Sequence, residues 1–480
     1  MALPTTITSA RTASEHRADH QTLHAQHNQT LNVKTFGATG DGTTDDTTAV
    51  QSAWTAAVAI GAAMYFPAGT YVIANLSFSS NNKPVTLFGD GWGSVIKQKT
   101  GAMYAVSING SSSNATLNPT GITIKGLRFV GTVATDLFSE HFHLLNINAV
   151  SDVLVSGCWF EGWRGDGIYL GSSNDGATER HNRRVRIVDS FFDGINNDNR
   201  QAISIIDCWN LNISRCTFRR CTRTDMPGAI DVEPNPLDLF PVTWDINISD
   251  NQFEACGGGV GVVTIYLPET QASLTSDNSS LIIRGNQFRN DVVVDGGASI
   301  RLIQQQSPPG AATPPNTIII ADNVCTNGKR PFHIDGLRGV IIHDNIFDKM
   351  AGSSFVGETR GCRDVSVHHN MFMDCGSVQT AALILYNATG VSVDHNKFIN
   401  CGTATTGIMI LVKDNSTFTD LSVQGNEYTG PRCTDVVAKG TGVVTTASSN
   451  TYYNNKASST VTSAIVATGL FGHTPVAVIV

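Results

Sequence analysis

Two carboxylates set two positions apart, Asp231 and Glu233 in the segment GAIDVEPN, are the residues of this sequence best placed to do chemistry. In an extended strand, positions i and i+2 share one face, with Cα atoms about 6.5 to 7 Å apart. That is near the lower end of the separation that lets a water molecule stand between acid and base in an inverting glycoside hydrolysis. One carboxyl would keep its proton because of its neighbour's charge and act as general acid, leaving the other as general base. The same spacing also suits a solvated edge pair, and both readings stay open from the residues alone. A second candidate acid is Asp166 in RGDGIYLG. Beside it Trp163 and Tyr169 could stack on sugar rings and Arg164 could bind an acidic substituent, although GDG ahead of a strand also reads as a plain turn. Arg301, His333 and Asp335 form a third polar group, with Glu358 one repeat later, and Glu140, His141 and His143 mark a longer insertion that reads as a loop or a lip.

These groups need a scaffold, and one phrase supplies it. From Gly121 to Tyr428 an alternating apolar stretch closed by an aromatic residue returns eleven times, as GITIKGLRF, DVLVSGCWF, DVSVHHNMF, GVSVDHNKF and their variants. Its closing residues run from Phe129 through Phe160, Phe192 and Phe218 to Phe398 and Tyr428. The step is about 30 residues, the range of solenoids and arrays. It varies from 22 residues between Cys325 and Phe347 to 37 between Phe288 and Cys325, so loops of unequal length leave a regular coil. The period of two within each copy means strand, and its recurrence without any helical period predicts a parallel β-helix. A second strand in each repeat aligns as GDGIYLG, NRQAISIID, GAIDVEPN, GVVTIYLPE, GASIRLIQ, RPFHIDG and SSFVGET. With Ile168, Ile203, Ile230, Ile300 and Phe332 turned inward, an outer column of Tyr169, Ser204, Asp231, Arg301 and His333 faces solvent. Such a strip is suited to a saccharide groove.

Two further columns build the rod. Asn251, Asn286, Asn323, Asn345, Asn370, Asn396 and Asn426 each stand two residues before the residue that closes a copy, where stacked amides can satisfy a bend. Cys221, Cys256, Cys375 and Cys401 each fall three residues after one, consistent with small apolar thiols filling an interior column, with a Cys375–Cys401 bridge left open.

The chain has 480 residues, 41% of them hydrophobic and 15% charged, with a net charge of −8, which argues against nucleic acid as a partner. No apolar run approaches the length that spans a bilayer, and the N-terminus carries no export signal. His16, His20, His24 and His27 lie at helical spacing, as a polar stalk or a metal site between chains, without a Cys or a carboxylate cluster to complete a ligand set. No compact loop of alternating oxygen ligands marks a Ca²⁺ site, and no cofactor is expected.

Residues 31 to 73, LNVKTFGATGDGTTDDTTAVQSAWTAAVAIGAAMYFPAGTYVI, join a glycine loop to an amphipathic helix with Val50, Trp54, Ala57 and Val58 on its apolar face, capped by Thr44 or Asp45. This stretch resembles the N-terminal signature of the pectate-lyase-like superfamily of right-handed β-helices, as found in phage tailspikes and polysaccharide depolymerases, and the likeness continues through VTLFGDGWGSVI and the repeats. The resemblance implies an all-β, right-handed parallel β-helix of about eleven to thirteen turns, with an N-terminal capping helix and a β-rich C-terminal cap. It divides the chain into an attachment or stalk segment (1–30), the β-helix (31–430) and a cap or oligomerisation segment (431–480). It further implies a homotrimer at a virion tail, joined to a tail or baseplate protein through the N-terminus and acting on a bacterial surface polysaccharide. Hydrolysis is favoured by the excess of carboxylates. The alternatives are β-elimination on a uronic acid polymer, with Arg301, His333 or Tyr169 as base, and a non-catalytic adhesin.

Overall fold

Each repeat contributes one strand to each of three long parallel sheets, and a computed structural model displays the result as a β-helix. It describes residues 29–79, 83–110, 120–172, 181–196, 198–234, 243–268, 280–305, 317–357, 361–378, 381–403, 407–432, 434–458, 465–466, 469–472 and 478–479. The N-terminal histidines and Glu358 lie outside the described residues. Two sheets have sixteen strands and the third has fourteen. In the first sheet lie the strands that open the repeat phrase, such as Ser151–Ser156 and Cys362–His368; in the second, the short strands that close it, such as Trp159–Glu161 and Met371–Met373; in the third, the strands of the outer polar column, such as Ile168–Gly171 and Ile230–Val232.

The closing aromatics are in register, Phe129 against Phe160, Phe192, Phe218, Phe253 and Phe288 in turn. Their rings stack at 4.7 to 5.0 Å, matching the spacing of neighbouring strands. Cys325 interrupts the stack. After it, Phe347 tilts 47° from Phe372 and meets Phe332 of the third sheet at 5.6 Å, as a ring does when the position beneath it is too small to hold it flat. Nine cysteines are described, all buried with free thiols, so the bridge between Cys375 and Cys401 does not form. Burial pushes the Cys158, Cys216 and Cys362 thiols up to about 12.

The asparagine column runs one rung further than the repeat, to Asn455. From Asn286 onward each side-chain oxygen accepts from the backbone N–H and the amide of the Asn one rung earlier, while its own amide donates to a carbonyl of the first sheet; Asn251 accepts instead from Cys216 N. Asn345, for example, accepts from Asn323 N at 2.9 Å and Nδ2 at 3.0 Å, and donates to Ile320 O at 2.9 Å. Replacing Asn345 with Ala strands three buried groups, each costing about 1 to 3 kcal/mol if left unpaired. The expected result is a drop of several kcal/mol in unfolding free energy, read from guanidinium denaturation.

The helix Thr47–Ile60 buries Val50, Ala53, Trp54 and Ala57 over the first turn, with Trp54 stacked on Phe78 at 3.9 Å, while Val58 is half-buried. It closes the open end that would otherwise invite edge pairing. Asp45 receives the Thr47 N–H at 3.0 Å, and Asp46 Oδ1 accepts from Thr39 N at 2.7 Å, which ties the glycine loop to the helix start. None of the described helices is long and apolar enough to cross a membrane.

Candidate active site

The outer column of the third sheet has the register read from the sequence, with two additions, Thr264 and Phe355. Tyr169, Ser204, Asp231, Thr264, Arg301, His333 and Phe355 face one another across consecutive strands. Thr264, from GVVTIYLP, stands between Asp231 and Arg301. Glu233 follows two residues after Asp231, and Tyr266 two after Thr264.

The column is not the open strip expected. Ser204, Asp231, Thr264, His333 and Asp335 are all buried. The segment 139–142 passes close to Gly165, which admits it, since a Cβ there would lie 2.7 Å from Glu140 O and 2.9 Å from Phe142 O. The His333 ring rests 5.1 Å from Phe355, over which Arg330 and Lys413 also pack.

Two assigned contacts change with it. Trp163 cannot stack on a sugar: beyond Trp159–Glu161 the backbone turns at Gly162, at φ 61°, and sends the indole into the core against Phe192. Arg164 is not free for an acidic substituent, because Nε donates to Leu137 O at 2.6 Å and Nη2 to Asp136 O at 2.8 Å. Tyr169 remains half-buried, stacked on His143 at 4.6 Å.

What the structure does bring together is a set of four carboxyls around Arg200. The backbone of Arg200 donates to Gly165 O at 3.1 Å, and Gly167 N donates to Gln201 O at 3.1 Å, which lays the loop before Ile203–Ile205 beside the GDG segment. The Arg200 guanidinium then reaches Asp166 at 3.1 Å, Glu140 at 3.4 Å and Glu233 at 4.0 Å. Asp166 is buried, and its other oxygen lies 3.0 Å from His143 Nδ1. Asp231 Oδ2 accepts from Gln201 Nε2 at 3.3 Å. Sequence reasoning missed Arg200 and Gln201, which lie in an irregular loop ahead of their strand.

One cation does not balance four carboxylates, and the pair nearest each other resolves the excess. Burial, and then the charge of Glu233, hold Asp231 well above the usual carboxylate range, against the pull of Arg200. Burial opposes the charge of Arg200, but Asp166, Asp231 and Glu140 outweigh it and raise that group. Burial, followed by the Asp231 and Glu233 charges, pushes Tyr266 up to about 12, so it stays a phenol. The two exposed carboxylates are Glu233 and Glu140, at 38% and 52%. Because both approach Nη2 of Arg200, their nearest oxygens are no farther apart than the sum of 3.4 and 4.0 Å. This arrangement can donate a proton from one side and accept one from the other. Among the described residues no three His, Cys, Asp or Glu side chains are grouped to hold a metal ion.

The raised Asp231 has a consequence for stability. The unfolded chain gives up this proton near pH 3.9, whereas the folded chain keeps it to a higher pH. Folded protein therefore binds more protons in that window, and stability from this group falls as pH rises through it. The variant Asp231→Asn is expected to flatten that slope in chemical denaturation followed from pH 4 to pH 8.

Comparison with known proteins supports the β-helical fold. The model of the family described as rhamnogalacturonase A/epimerase, pectate lyase-like, matches residues 30–261. No curated protein sequence matches. Among solved structures the chain is similar to pre-mature gene product 12 of bacteriophage phi29, at 15% identity and a TM-score of 0.57, over 93% of this chain and 61% of that one. The chain thus spans less than two thirds of that protein. It is also similar to an N-terminal fragment of the same gene product, at 16% identity and a TM-score of 0.54 over 92% and 76% of the two chains. The Agl-KA catalytic domain is matched at 16% identity and a TM-score of 0.51, over 87% and 68%.

Proposed function

Since the chain is a pectate-lyase-like right-handed β-helix, we propose that the carboxyl cluster on its third sheet hydrolyses a bacterial surface polysaccharide, as the depolymerase of a phage tailspike. One observation carries this reading: Asp231, buried and with its carboxyl held well above the usual carboxylate range, stands two residues from Glu233, which is exposed at the rod surface and linked through Arg200 to Glu140 and Asp166. Glu233 passes the proton to the glycosidic oxygen as the anomeric C–O bond breaks. A water oxygen bonds to the anomeric carbon and gives a proton to the second exposed carboxylate, Glu140. Asp231 resupplies Glu233, and Asp166 holds Arg200 against both exposed groups. Tyr169 and Arg301, both half-buried, line the path of the saccharide, which the buried His333 and Asp335 do not reach.

The likeness to bacteriophage gene product 12 lends support to a phage-related role; to this reading belong residues 1–30 as attachment segment, 431–480 as cap or oligomerisation segment, and a homotrimer. Hydrolysis is preferred to β-elimination because an elimination base must be accessible and unprotonated. His333 is buried against Phe355, Tyr266 stays protonated, and Tyr169 is stacked on His143. The test is incubation with a panel of capsular, exopolysaccharide and O-antigen polymers, followed by size-exclusion chromatography with near-ultraviolet absorbance. Hydrolysis shortens a polymer with no rise in absorbance. A rise assigns the chain to the lyases, and unchanged polymer size across the panel assigns it to the adhesins.

A further inference from the structure

Around the corner from the carboxyl cluster, on the same coils of the rod, the second sheet carries a group of aromatic rings that the chemistry above does not use. Arg128, Trp159 and Phe191 stand in register on three successive strands. Trp92, from the turn Gly91–Gly93, lies over them, 5.1 Å from Trp159 and 6.3 Å from Phe191, and Trp159 meets Phe191 edge-on at 5.5 Å. Trp92 is 49% exposed, yet its ring is fixed, because Nε1 donates to Gly157 O at 3.2 Å. Beside the rings, the Arg128 guanidinium sits 4.0 Å over Trp159 and pairs with Glu161 at 2.7 Å.

An exposed, pinned tryptophan is costly to keep in water and marks a contact. Its occupant follows from size and surroundings. Half of one indole is on the order of 100 Å², and Trp159 and Phe191 are already half-buried, whereas a stable protein interface needs roughly 800 Å² from each partner. The patch is the size of one or two sugar rings. Its rim offers what a pyranose uses, an apolar face for the C–H groups and an adjacent guanidinium and carboxylate for the hydroxyls.

We infer that Trp92, with Trp159, Phe191 and Arg128, forms a second, non-catalytic saccharide-binding platform that holds the polymer while another stretch of it occupies the third sheet. This rests on the polysaccharide reading above. Because platform and carboxyl cluster share the coils that hold Trp159 and Asp166, and Phe191 and Arg200, one long chain can engage both, and tethering raises its effective concentration at the cluster. Short oligosaccharides cannot.

The experiment uses the full chain in an uncleaving form, Asp231→Asn with Glu233→Gln, against an array of purified bacterial surface polysaccharides. Binding is read on the array and by tryptophan emission. Adding Trp92→Ala is expected to weaken binding about tenfold, and Trp92→Phe less, since a ring remains. In the otherwise unaltered protein, Trp92→Ala is expected to raise KM for polymer with kcat unchanged and to leave cleavage of a short oligosaccharide as it was. Equal binding by the Trp92→Ala form overturns the platform, as does a change in oligomeric state by light scattering, which would mean that a second chain covers it. Binding through Trp92 with no polymer cleaved by the unaltered protein keeps the platform and sinks the hydrolase reading; cleavage with Trp92-independent binding does the reverse. Binding of no polysaccharide on the array overturns both.

Discussion

Replacing Glu233 with Gln is expected to lower the rate of polysaccharide cleavage by about 10³-fold while leaving the fold and substrate binding intact. The size follows from the role: a positioned acid contributes roughly 10² to 10⁴ in rate, and Gln has the shape of the acid without a transferable proton. Its side chain is 38% exposed and needs no partner to stay folded, so stability should change little. Asp231→Asn makes a useful contrast. Asn fills the buried position but removes the raised carboxyl that stands beside Glu233. Cleavage should fall less than in Glu233→Gln, since the exposed acid itself is kept. Equal activity of Glu233→Gln and the parent across the pH range would remove Glu233 from the chemistry.

The second large effect is expected at Arg200. Its guanidinium is the counter-charge for a buried carboxylate, Asp166, and stands between Glu140 and Glu233. Removing one partner of a buried ion pair costs about 3 to 5 kcal/mol, because the other is left charged and desolvated. Arg200→Met should therefore lower the guanidinium unfolding midpoint strongly and abolish most cleavage, since the two exposed carboxylates lose the group that aligns them. Neutralising the stranded acid as well, in Asp166→Asn with Arg200→Met, should recover a large part of the stability and none of the activity. Recovery of both would mean that Arg200 serves folding alone.

The rod was legible in the sequence because each turn repeats the same physical demand. A strand buried on one face writes its period of two, and a bend that buries polar groups writes an Asn at the same offset, so Asn251 to Asn426 and Phe129 to Tyr428 stack as the spacing requires. The outer column from Tyr169 to His333 followed from the same alternation. What alternation cannot give is the state of the outer face. Asp231 and His333 stand on the outer column yet are buried, beside Gln201 and against Phe355 respectively, and neither neighbour leaves a periodic trace. Trp163 and Arg164 were misjudged for a related reason: one turn at Gly162 reverses which residues face in, and a Trp is equally at home in a core or against a sugar. Arg200 and Gln201 were invisible because a loop's position is set by backbone bonds to a neighbouring turn, here Gly165 and Gly167. Glu140 was read as a loop or a lip, and only the reach of Arg200 makes it a partner of Glu233.

The central claim, hydrolysis at the Asp231–Glu233 pair, is tested most directly by isotope. A polysaccharide cleaved by the protein is digested in water enriched in ¹⁸O, and the new ends are weighed by mass spectrometry, with Glu233→Gln in parallel. Hydrolysis predicts one heavy oxygen at each new reducing end and almost no new ends from the variant. Ends that carry no label but have lost the elements of water, or labelled ends made as fast by Glu233→Gln as by the parent, would contradict it.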